Sequence, residues 1–272
     1  MKIKDHSCKG IHFTLKIRIY MAIAIIGGSG LTQLTTLGES KPITQATPFG
    51  HHSQGVCRFT INQREIIFLP RHGDQHQYPP HKVNYRANLW LLKSLGITKI
   101  IACNVVGGIS ENMPPRTLVV PHQIIDYTWG REHTFYDGEN NAIEGVEHID
   151  FTHPYSEALR QRMLAFFEQT GIDHINHGVY ACTQGPRLET AAEIQRFKKD
   201  GCDVVGMTAM PEAALSRELA IDYTALNLVV NWAPGLAADE LSMTIIMALV
   251  KTEMEKICQF LPNLIKFLEM DH

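Results

Sequence analysis

Apolar and polar positions along the chain fall into short unbroken apolar runs, alternating runs and helical spacings, and these define most of its elements. Residues 21–26 (Met-Ala-Ile-Ala-Ile-Ile) are continuously apolar over a strand's length, the pattern of a strand covered on both faces. Residues 99–106, 179–182, 203–206 and 223–232 read the same way, while 55–60 and 65–69 are shorter and predict an antiparallel pair. Residues 118–120 and 123–127 are also strand-like, and 129–147 read as loop, with Gly130, Gly138 and Gly145.

Between these runs the period changes to that of a helix. Leu89, Leu92 and Leu95 lie on one face of a helix over 84–95 that stops at Gly96. Ser156 caps a helix to residue 170, with Gly171 beyond its end. A Gly-Pro turn at 185–186 leads into a helix over 191–197, which places Glu189 in its first turn. Residues 240–270 carry Leu241, Ile245, Leu249 and Ile257 on related faces of a final helix. Strands alternating with helices predict an α/β fold. A length of 272 residues is compatible with one α/β domain, since these reach about 250 residues, so residues 21–272 are expected to form a single unit.

Composition narrows the partners. A net charge of -3 offers no basic surface for a polyanion, so nucleic acid is not an expected partner and any phosphate contact must be local. No run approaches the roughly 18 apolar residues of a membrane span. Cys8, Cys57, Cys103, Cys182, Cys202 and Cys258 are widely spaced without a C-x-x-C pair and read as reduced thiols of a cytoplasmic protein, neither disulfides nor zinc ligands. Residues 1–20 are basic, with no small-residue cleavage site, and are expected to be a disordered extension ahead of a natural start at Met21.

Polar positions at the ends of the apolar runs are the candidate chemistry. Gly27-Gly28-Ser29-Gly30-Leu31 follows the first strand; it is either a tight turn or a place where backbone N–H groups meet an anion. It is not a dinucleotide fingerprint, because Gln33 stands where the third glycine is needed. The loop Arg71-His72-Gly73-Asp74-Gln75-His76, running on to His81, admits three readings: a solvated loop, a metal site through His72, His76 and His81, or an anion site built on the Arg71 fork. Asn104, Glu189, Met207, Thr208 and Asn231 all lie at or just beyond strand ends, where open α/β sheets bind ligands. Taken alone, Glu189 is equally a helix-start acid.

In order along the chain, Gly27-Gly28-Ser29-Gly30-Leu31, Arg71-His72-Gly73, Val83-Asn84-Tyr85-Arg86-Ala87-Asn88, Gly185-Pro186-Arg187-Leu188-Glu189-Thr190 and Val205-Gly206-Met207-Thr208 resemble the trimeric purine nucleoside phosphorylase and methylthioadenosine phosphorylase family, over roughly residues 22–250. The resemblance implies a phosphorylase/hydrolase-like α/β fold with a mixed, partly barrel-like central sheet flanked by helices. It implies a pentosyltransferase that uses no cofactor, with inorganic phosphate as co-substrate, acting as a homotrimer or a dimer of trimers. Phe135-Tyr136-Asp137-Gly138 resembles the family's loop that reaches a neighbouring subunit.

Residue by residue, the resemblance implies phosphate binding by Ser29, Arg71, His72, Asn104, the Val105 backbone and Thr208. A threonine is frequent in the family where Asn104 stands. Met207 would lie under the ribose, Leu188 and Ala233 beside the base, and His76, Met243, Ile246 and Met247 around the 5′ substituent. The last three also fit the plain reading of a core-facing helix face.

Glu189 and Asn231 decide the base. An ionised Glu189 only accepts, matching the N1–H of a 6-oxopurine, and the Asn231 amide donates to O6 or N7. Adenosine-type relatives carry a serine at the first position and aspartates near the second. Mismatching two such groups costs about 1–3 kcal/mol each, enough to reject adenine. Methionines and isoleucine suit a methylthio group and would leave a 5′-hydroxyl unpaired. The expected reaction is therefore phosphorolysis of a 6-oxopurine nucleoside, methylthioinosine ahead of inosine and guanosine, with a methylthioadenosine phosphorylase and a non-catalytic nucleoside binder as rivals.

Overall fold

The computed structural model describes residues 22–28, 30–31, 40–61, 64–138, 145–237 and 242–270. The expected extension 1–20, Ser29 and Leu241 lie outside them.

The strands are β1 (Ala22–Gly27), β2 (Ser40–Pro42), β3 (Cys57–Ile61), β4 (Arg64–Pro70), β5 (Ile97–Gly108), β6 (Leu118–Val119), β7 (Gln123–Asp126), β8 (Val179–Cys182), β9 (Val204–Gly206) and β10 (Asp222–Trp232). The helices are α1 (Tyr85–Ser94), α2 (Glu157–Thr170), α3 (Ala191–Lys199), α4 (Ala209–Glu218) and α5 (Met243–Glu269). All ten strands join one mixed sheet in the order β2-β3-β4-β1-β5-β9-β8-β7, with β10 branching from β5 and β6 from β10. That branch is as far as the described ladders take the sheet toward a barrel.

The branch point creates the site. Along one edge β5 pairs with β10 in parallel over most of its length. On its other edge β1 covers residues only as far as Ala102, and β9 meets it antiparallel at Gly107 and Gly108. Residues 103–106 therefore face a gap between two diverging strands, the kind of switch point at which α/β sheets bind ligands.

Side chains of β1, β4 and β5 pack on both faces of the sheet, which explains their continuous apolar pattern. Caps fall where polar residues predict them. Asn84 accepts from Ala87 N, Ser156 accepts from Leu159 N, and Gly171 takes the left-handed conformation at φ 68°. Two expectations need correction. The N-cap of α3 is Thr190, closed in a reciprocal capping box with Glu193, so Glu189 lies outside the helix instead of in its first turn. Ile245 is exposed, because α5 begins at Met243 and its first turns stand over the gap in the sheet; burial of its core face starts at Val250.

Candidate active site

Over the gap lies a cavity of about 710 Å³. Its walls come from the ends of several strands: Gly28 and Gly30 after β1, Arg71 and His72 after β4, Asn104 and Val105 in β5, Leu188 and Glu189 after β8, Met207 and Thr208 after β9, and Asn231 in β10. Met243, Ile246 and Met247 of α5, together with His76, complete it. Every described site residue expected from sequence lines this cavity except Ala233. Ala233 is buried in a small cluster with Ile109, Phe197 and Val205 and donates its N–H to Gly108 O, and the neighbouring Pro234 takes its place at the wall.

Glu189 is only 8% exposed and its Oε1 accepts a 2.6 Å hydrogen bond from Thr183 Oγ1. Because Glu193 already serves the helix terminus, that role is closed to Glu189, and its second oxygen remains an acceptor for the cavity. Asn231 Nδ2 donates to Trp232 O at 2.6 Å, so the amide is held on its own backbone at the same wall. Gly185 packs against Met207: it has φ +60°, and an added Cβ would stand 2.5 Å from Met207 Sδ, which favours glycine there.

The Arg71 guanidinium is 2% exposed and does not present its full fork to the cavity. Nε and Nη2 bind Glu212 Oε2 and Oε1 at 2.6 and 2.7 Å, which leaves the Nη1 side. Glu212 also accepts from Tyr223 OH at 2.9 Å. Burial alone would lower the Arg71 pKa, but the charge of Glu212 and its hydrogen bonds raise it above the ordinary value, so the cation persists.

His72 Nδ1 lies 2.8 Å from Tyr78 O, and since a carbonyl only accepts, Nδ1 carries the hydrogen. Burial, and then the charge of Arg71, push its pKa down to about 4. At neutral pH its Nε2 is thus an acceptor. His72 packs against His76 with ring centroids 4.6 Å apart. No group of three or more His, Cys, Asp or Glu placed to hold a metal occurs among the described residues.

Thr208 Oγ1 lies 3.3 Å from Asn104 Oδ1, and Asn104 Nδ2 donates to Asn227 Oδ1 at 2.9 Å. This buried chain fixes the Asn104 amide and orients the Thr208 hydroxyl. Met243 and Met247 are 57% and 54% exposed at the opening, and Leu188 is on the rim.

Sequence reading missed the residues that hold these groups. Thr183 and Glu212 lie two and four residues outside the motifs quoted, and nothing local distinguishes them from strand-end and helix positions. Arg131, in a loop, is buried and donates to Thr183 O, Gln184 O and Oε1, Met207 O and Met210 O at 2.6–3.1 Å. Its partners are 52–79 residues away, beyond any local pattern.

Comparisons with known proteins agree with this geometry. The profile of the phosphorylase superfamily matches residues 22–266. A probable S-methyl-5′-thioinosine phosphorylase of Pseudomonas syringae pv. tomato is 50% identical over 234 residues, 86% of this chain and 94% of its own. The 6-oxopurine nucleoside phosphorylase of Pyrococcus furiosus is 41% identical over 241 residues, 88% and 90% of the two chains. Among solved structures, a methylthioadenosine phosphorylase from Schistosoma mansoni in complex with adenine superposes with a TM-score of 0.88 at 29% identity, covering 93% of each chain. The strand-end cavity and a profile match running from β1 into α5 place the chain in the phosphorylase superfamily.

Proposed function

We propose that the protein catalyses phosphorolysis of a 6-oxopurine nucleoside, with S-methyl-5′-thioinosine as its preferred substrate, giving hypoxanthine and 5-methylthioribose 1-phosphate. The observation that carries this reading is that Glu189 and Asn231 line one cavity together with Arg71, His72 and Thr208. The relatives named for methylthioinosine and 6-oxopurine nucleosides support it.

Monohydrogen phosphate attacks C1′ as the bond from C1′ to purine N9 breaks. The electron pair of that bond goes to the purine, and the phosphate proton ends on the departing base. The anion is held by the Nη1 side of Arg71, by Thr208, whose hydroxyl hydrogen turns from Asn104 Oδ1 to the anion, and by the β5 backbone at Val105, with Ser29 in the role that the resemblance gives it. Neutral His72 accepts the P–OH hydrogen. Phosphate then needs no deprotonation by the enzyme, only position and a complementary field. Glu189 accepts from purine N1–H, and Asn231 donates its second amide hydrogen to O6 or N7 as negative charge builds there. Met207 forms the apolar floor of the ribose. Metal and organic cofactors have no step to perform.

Met243, Ile246 and Met247 suit the methylthio group. His76 favours a second reading: it is a polar side chain lining the same cavity, and a 5′-hydroxyl bonded to it would make the protein a general inosine and guanosine phosphorylase. Parallel assays with methylthioinosine, inosine, guanosine and methylthioadenosine, each with and without phosphate, test both. The highest kcat/KM belongs to methylthioinosine, and equal values for inosine would establish the second reading. Base release without phosphate, or none at all, would end the proposal. The enzyme is further proposed to be a cytoplasmic homotrimer, as the family resemblance implies.

A further inference from the structure

The buried pair behind the phosphate end has a consequence for how the anion is held, which rests on the reading of Arg71 as a phosphate ligand. Arg71 lines the cavity and Glu212 does not, although the two side chains are 2% and 1% exposed and share two hydrogen bonds. Both Glu212 oxygens are engaged, one of them also by Tyr223 OH. Tyr223 is itself held in place by stacking on Tyr155.

We propose that Glu212 is a positioning residue that turns the Nη1 side of Arg71 toward phosphate and cancels most of its net charge, so that phosphate is held by directed hydrogen bonds and not by a bare cation. Two physical points carry this. A carboxylate on the Nε–Nη2 edge fixes the guanidinium plane and leaves one orientation for the remaining donors. A cation so deeply buried needs a counterion, and with Glu212 in place phosphate is not the only one available. A nucleophile bound less tightly in the ground state loses less of its reactivity.

The inference reverses the usual sign of a damaging substitution. Glu212→Gln leaves Arg71 unpaired until phosphate arrives, so the variant is less stable alone yet binds inorganic phosphate on the order of tenfold more tightly. Tyr223→Phe removes a donor from Glu212, strengthens the carboxylate's hold on Arg71 and weakens phosphate binding by about two- to fivefold. Calorimetric titration with inorganic phosphate and the phosphate-induced rise in Tm read both effects.

If the wild-type protein is not stabilised by phosphate, the phosphate reading of Arg71 falls, and this inference with it. If the wild type is stabilised and folded Glu212→Gln binds phosphate equally or more weakly, only the role of Glu212 is overturned. Should Glu212→Gln fail to fold in chloride, refolding in phosphate is expected to recover it; failure there too would equally overturn the role.

Discussion

Thr183 Oγ1 donates to Glu189 Oε1 at 2.6 Å, which fixes the carboxylate without neutralising it. An ionised carboxylate has acceptor capacity left after that bond, and a purine N1–H is the donor that matches it. Glu189→Gln presents an amide able to rotate its donor toward N1–H. It is expected to lower kcat/KM for 6-oxopurine nucleosides by about tenfold to a hundredfold, the worth of a hydrogen bond to a charged group. Thr183→Val leaves the charge but frees the side chain, so the loss is smaller. Steady-state kinetics on both variants check the order, and a larger loss in Thr183→Val would contradict it.

The amide of Asn231 donates one hydrogen to Trp232 O and has a second for a purine acceptor. Asn231→Asp exchanges the donor for an acceptor, matching the 6-amino group of adenine instead of O6. The ratio of kcat/KM for methylthioadenosine to that for methylthioinosine is expected to rise by about tenfold or more. An unchanged ratio would discredit the assignment of the base end.

How far the sequence foretold all this depended on the range of the interaction. Caps at Asn84 and Ser156 and the stop at Gly171 were legible because each is satisfied within four residues. Buried strands were legible from composition alone. Glu189 was misplaced by two positions because a Thr-x-x-Glu box, Thr190 with Glu193, starts the helix just after it. Ala233 was placed beside the base by resemblance, and a motif match does not show that the turn after Trp232 buries this residue behind Pro234. Ile245 was placed on a core face because periodicity does not reveal that a helix overhangs an opening. Arg131 and Glu212 were invisible as site supports, since their partners lie 52–79 and 141 residues away.

Around the 5′ end, the exposed Met243 and Met247 give the cavity an apolar opening. Met247→Gln supplies a partner for a 5′-hydroxyl while keeping the side-chain length. Preference for methylthioinosine over inosine is expected to fall by about two- to tenfold, the net worth of one hydrogen bond at a half-exposed position. Competition between the two nucleosides in one assay measures the ratio directly.

Acid should destabilise the fold partly through His72. Its pKa is about 4 when folded, against an ordinary 6.5. Between these values the unfolded chain binds the extra proton, so stability rises with pH across the window and is lost as pH falls from 6.5 to 4. The contribution is roughly 3 kcal/mol at most. Glu193, lowered to about 2 first by its hydrogen bond from Arg187, acts in the same direction between 4.5 and 2. Urea unfolding of His72→Gln is expected to show a flatter pH dependence between 4 and 6.5 and an unchanged one below 4.

Arg131 joins the two ends of the site. It holds Thr183 and Gln184, which precede Glu189, against Met207 and Met210, which flank Thr208, and it has no acidic partner among the described residues. Buried carbonyls left without donors cost about 1–3 kcal/mol each, and the planar fork reaches several at once. A lysine ammonium is a single point with three donors and cannot span them, so Arg131→Lys should resemble Arg131→Met in losing stability. Because the base end and the anion end each keep their own side chains, hypoxanthine and phosphate are expected to bind these variants separately within a few-fold of wild type. Turnover requires both at a fixed spacing, and misplacing reacting groups by about 1 Å costs about a hundredfold. Calorimetry on each ligand alone, set beside kcat, separates the two effects; a kcat preserved within twofold in Arg131→Met would show that the spacing is held by other contacts.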